Sequence, residues 1–115
     1  MQLQVKDAYT ERPAPEQAIA NLGRGISLEV ELDTMLSTLI HIYEESPDVI
    51  IKTCMAIMGR CTEMHVSLVR VEGQDRKAKY FRTAQLQRVM ELCEFQFKGA
   101  SRLVEIARQE VELSR

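Results

Sequence analysis

Cys61 and His65 stand four residues apart, a spacing that puts a thiol and an imidazole on one side of a helix, where both could ligate zinc. A structural zinc site needs four such donors, and nothing near these two supplies the others at a recognisable spacing. The odd count of three cysteines, Cys54, Cys61 and Cys93, reads instead as reduced thiols filling a core, where free cysteine behaves as a small hydrophobe. His41 follows Thr34 and Thr38 on the polar side of its segment, as a solvated imidazole would. The sequence contains no Gly-rich phosphate loop, Gly-x-Ser-x-Gly elbow or His-Glu-x-x-His pair. Glu63, Glu91, Glu94 and Glu105 fall on outward helix faces and do not pair inward. These features point away from an enzyme, and no metal or cofactor is expected.

The stretch VEGQDRKAKYFR, residues 71–82, suggests a different chemistry. Arg70, Arg76, Lys77, Lys79, Arg82 and Arg88 oppose only Glu72 and Asp75, so residues 70–88 carry +4 inside a chain of net charge −2. Cations in the first turns of a helix oppose its dipole, each at a cost of about 0.3–1 kcal/mol. Stability therefore does not explain the placement, and contact with an anion does. Phosphate groups could sit among these cations while Tyr80 or Phe81 stacks on a base. An acidic protein surface would suit them equally, and residues 1–48 carry a charge of −6. The competing interpretation is a solvated hairpin corner with Phe81 closing the end of the core. The pI near 5.7 and the lack of helix-turn-helix spacing rank nucleic acid below protein as the partner.

A small set of elements must position these groups. With 115 residues, 45% hydrophobic and 28% charged, the chain has the size and balance of one folded domain. Five Gly and three Pro leave little turn chemistry for strands, so the expected class is all-α. No apolar run approaches the roughly 20 residues of a membrane span, and the first residues lack a secretory apolar region. A cytoplasmic protein without membrane contact is expected.

Residues 1–26 read as a tail with a short helix at 15–22, Pro15 opening it and Gly23 stopping it. Residues 27–115 read as a helical bundle domain. The first main helix spans about 28–45, capped by Ser27. Its stripe is Leu28, Leu32, Met35, Leu39 and Ile42, widened by Leu36, Ile40 and Tyr43. Ser46-Pro47-Asp48 starts the second, about 47–72, whose seam is Ile50, Cys54, Ile57, Cys61, Met64, Leu68 and Val71. Its remaining face is so apolar that it reads as the central helix, contacted from at least two sides. Gly73 and Asp75 turn the chain into the third, about 76–113, with a seam of Leu86, Met90, Cys93, Phe97, Ala100, Val104, Ala107 and Val111, broadened by Val89, Leu92, Leu103 and Ile106. Gly99 reads as a kink, a break or a point of close approach.

The expected architecture is thus an antiparallel helical bundle of three main helices. Its proportions do not match. At 1.5 Å per residue the third helix is roughly 57 Å long and the second roughly 37 Å, so residues beyond about 100 outrun the hairpin. A homodimer or higher homo-oligomer is therefore expected, with an interface drawn from Ile51, Met55, Met58, Leu103, Val104, Ile106 and Val111. The leading functional expectation is an oligomeric interaction protein, acting as adaptor, assembly factor or regulatory subunit. A nucleic-acid-binding accessory protein is the alternative.

Overall fold

The computed structural model describes residues 14–24, 27–70 and 76–114, with the side chains of 68–70 and 76–81 outside that description. All its elements are helical: α1 (Pro15–Ala20), α2 (Leu28–His41), a 3-10 turn (Ile42–Glu44), α3 (Pro47–Arg70) and α4 (Arg76–Leu113). The all-α class is thus the observed one. Gly73 and Asp75, the expected turn residues, lie outside the described residues.

Local chemistry accounts for the boundaries. The Ser27 hydroxyl accepts from the Val30 amide at 3.2 Å, satisfying a donor that the first turn of α2 leaves without a helical partner. Gly23 takes φ +74°, the left-handed conformation that costs glycine least, just beyond α1. The first main helix ends earlier than expected as α-helix. Its last turn tightens to 3-10 over Ile42–Glu44, and Glu45 is extended. Pro47 excludes its neighbour Ser46 from helical geometry, so the final carbonyls find partners by i to i+3 bonds, as from the Glu45 amide to the Ile42 carbonyl at 2.9 Å.

One core joins the three long helices. Leu32, Met35, Leu39 and Ile42 meet Ile50, Cys54, Ile57, Cys61 and Met64 of α3 and Leu86, Val89, Cys93 and Ala100 of α4. Arg82 meets Glu29, Gln85 meets Asp33, and Gln96 donates to the Leu39 carbonyl at 3.1 Å. Residue numbers rise together along both helices, so α2 and α4 run in the same sense. α3 lies against α4 and carries α1 on another flank, where Ala18 is buried.

Three expectations about the packing need correction. The helix along which both other long helices lie is α4, whereas the sequence pattern puts α3 in that place. Met90, expected on the seam of α4, is exposed, while Val89 from the flank of the same stripe is buried as expected. A helix touched on two flanks buries residues between its two contact lines, which moves the buried stripe off the single-partner seam. Ile40 and Tyr43 do not widen the inward face of α2. Both are exposed, because α4 covers only the flank marked by Glu29, Asp33 and Leu39.

The helix α4 is unbroken through Gly99, and a Cβ added there would meet nothing within 4 Å. Within the protomer Gly99 is neither a break nor a close approach. Gly99→Ala is therefore expected to raise stability by about 0.5–1 kcal/mol, through reduced freedom of the unfolded chain. Urea denaturation should show a higher midpoint at unchanged slope. A lower midpoint would mean that another helix packs on the glycine in solution.

Candidate interaction surface

Geometry at the far end of α4 is the most distinctive feature of the surface. Ala100 is its last buried residue, and every residue from 105 to 114 is exposed. Seven residues separate Pro47 from Cys54, which lies against Cys93, so α3 begins at about the level of Ala100. The 3-10 turn after α2 ends close to the same level, since Leu39 lies beside Gln96. Beyond it α4 continues alone to its end at Leu113.

That free end is not polar. Val104, Ala107 and Val111 continue the line of Cys93 and Ala100, and Val111 is 57% exposed. A second line runs through Leu92, Gly99, Ile106 and Leu113 at seven-residue intervals, flanked by Phe95 and Leu103. Leu113 on that line is 86% exposed and Phe95 beside it 72%. Cations and anions alternate on the remaining side: Glu94 pairs with Lys98 at 2.9 Å, and Glu105 with Arg108 at 3.6 Å. Such exposed pairs contribute little to stability and serve mainly solubility.

The residues expected to form an interface divide over separate places. Ile51 and Met58 are half-buried at the margin of the core, and Met55 beside them is exposed on α3. Val104 and Val111 lie on the prolonged core line of α4, whereas Leu103 and Ile106 lie on its second line. Leu113 belongs to the uncovered apolar end that the length mismatch implies, whereas sequence reasoning missed Phe95, which stands one turn after Leu92 beside the same line.

The basic corner is only partly described. The side chains of Arg70, Arg76, Lys77, Lys79, Tyr80 and Phe81 lie outside the described residues. Arg88 is exposed. Arg82 is committed internally: its guanidinium reaches Glu29 Oε1 at 2.7 Å through Nε and 2.5 Å through Nη2. The hydrogen bond from Arg82 holds the Glu29 carboxyl below the usual carboxylate range. A cation already held by a carboxylate is a poorer phosphate ligand than a free one.

The same pairing logic appears, more deeply, where α1, α2 and α3 meet. Glu31 is buried, and its two oxygens accept from the Gly23 amide at 3.0 Å and from Arg60 Nε at 2.5 Å. Arg60 also donates to Glu63 at 2.9 Å, and the Glu31 bond raises its already high pKa. Sequence reasoning missed this role of Glu31. Its place one turn before Met35 and two before Thr38, both buried, was the available signal.

His65 is exposed and Cys61 is buried, so these two side chains do not face a common site. Among the described residues no group of three or more His, Cys, Asp or Glu is placed to hold a metal ion. Among the same residues no helix is long and apolar enough to cross a membrane. The chain matches no family model, no curated protein and no solved structure.

Proposed function

We propose that this chain is a cytoplasmic helical interaction protein, an antiparallel bundle that works as a homodimer or higher homo-oligomer. Its role would be that of an adaptor, assembly factor or regulatory subunit. The observation that supports this reading is the free end of α4, where Leu103, Ile106, Val111 and Leu113 are exposed past the last buried residue. Single exposed apolar side chains are ordinary, but a helical line of them marks an interaction surface. A second copy offers a line of the same length and period. Helix-on-helix burial at such a seam resembles a core cut in half. The basic corner would then meet an acidic protein partner. The internal pairing of Arg82 argues against phosphate as its main ligand.

Sedimentation velocity tests the reading. At micromolar concentration the protein should run near twice its 13.2 kDa chain mass or a higher even multiple. Ile106→Glu with Val111→Glu should return it to one chain mass. Both side chains are exposed in the protomer, so helicity and melting of the monomer should change by no more than about 0.5 kcal/mol. A wild-type protein at one chain mass throughout would overturn the proposal.

A further inference from the structure

The three buried thiols are not equivalent. Cys54 and Cys93 occupy facing positions on α3 and α4, each fully shielded from solvent. The Cys93 thiol donates to the Cys54 carbonyl at 3.1 Å, so its sulfur touches the main chain of the opposite helix. Only small residues permit helices to approach so closely, and a disulfide requires facing Cα atoms within about 4.4–6.8 Å. The mutual influence of the two thiols lowers the Cys54 pKa and raises that of Cys93. Cys61 is on the same face as Cys54 but two turns away, about 10.5 Å along the axis, beyond the reach of a disulfide. Burial pushes its thiol up to about 11, which leaves it unreactive at neutral pH.

We propose that Cys54 and Cys93 form a disulfide-competent pair that a hydroperoxide converts into a covalent staple between α3 and α4. Cys54 is the attacking sulfur and Cys93 the resolving one. The Cys54 thiolate takes the terminal oxygen of hydrogen peroxide as the O–O bond breaks, giving a sulfenic acid and, after protonation, water. The Cys93 sulfur then attacks the Cys54 sulfur. The S–S bond forms, the S–O bond breaks, and hydroxide leaves with the Cys93 proton as a second water. Two thiols thus lose two electrons to one peroxide. Because both sulfurs are sealed in the core, the reaction proceeds through transient parting of α3 from α4, the kind of local opening that folded domains undergo. The closed staple spans the 71–75 connection and holds the hairpin together at its other end.

Trypsin makes the test direct, because it separates all three cysteines. Cleavage after Lys52, Arg60, Arg70, Arg88 and Lys98 leaves Cys54 in 53–60, Cys61 in 61–70 and Cys93 in 89–98. The full-length protein treated with hydrogen peroxide and digested without reductant should yield 53–60 joined to 89–98. Titratable thiols in denaturant should fall from three to one. The thermal midpoint should rise by on the order of 10 °C and return to its starting value with dithiothreitol. Cys61→Ser, which leaves the pair intact, should give the same joined peptides. The proposal is overturned if Cys54 and Cys93 are recovered unlinked, if either joins Cys61, or if a non-reducing gel shows the crosslink connecting two chains.

Discussion

Leu39→Ala is expected to destabilise the fold by about 3 kcal/mol, within the roughly 2–5 kcal/mol range for removing a buried leucine. Leu39 is wholly buried, and its main-chain carbonyl is held by Gln96 of α4. Truncation would open a void where α2 meets α4, and α2 reaches the rest of the core largely through that line. Little can collapse into the space, because Met35 and Ile42 on the adjoining turns are already fully packed. Thermal denaturation should show a midpoint lower by roughly 10 °C or more, and urea denaturation the same loss at unchanged slope. A cost below about 1 kcal/mol would mean that α2 is not docked as described, since exposed leucines lose little on truncation.

Arg60→Ala is expected to cost about 2–3 kcal/mol, for a different reason. Breaking a buried ion pair by removing one partner costs up to roughly 3–5 kcal/mol, because the remaining charge stays desolvated. Glu31 would keep the Gly23 amide and lose the guanidinium that neutralises it, while sitting 2% exposed. The Arg60 side chain is 22% exposed, so water relieves part of the penalty and places the cost below the upper limit. Glu63 provides the control: it pairs with the same guanidinium but is 70% exposed, and Glu63→Gln should cost under about 0.5 kcal/mol. Double-mutant cycles should therefore give a coupling above about 1 kcal/mol for Arg60 with Glu31 and near zero for Arg60 with Glu63. Equal couplings would contradict the burial of Glu31.

The two variants probe unlike kinds of information. Leu39 is assignable to the core from residue spacing, because Leu32, Met35, Leu39 and Ile42 repeat at helical intervals, and all four are buried. The Ser27 cap, the Pro47 start and the extent of α4 are equally legible, since each depends on residues within a few positions of one another. The pairing of Glu31 with Arg60 is not. Those residues are 29 positions apart, and each alone looks like an ordinary charge on a helix. Arg82 illustrates the same limit: within its own segment it belongs to a basic cluster, and only the parallel course of α2 brings Glu29 to it.

Residue order alone was enough to establish a helical chain, the points where its helices start, and which of their residues recur at helical spacing. It also implied a length mismatch between α4 and its neighbours. These follow from local sterics, capping and a period of 3.6 residues, all of which act over short stretches of chain. Packing in three dimensions was needed to make α4 the helix shared by α2 and α3, and to put Val89 rather than Met90 in the core. It was needed also to turn Ile40 and Tyr43 outward and to bring Cys54 against Cys93. Each of these depends on the rotation of one helix about its axis against two others. Periodicity defines a face without saying which neighbour it meets; that choice comes from the combined packing of all three.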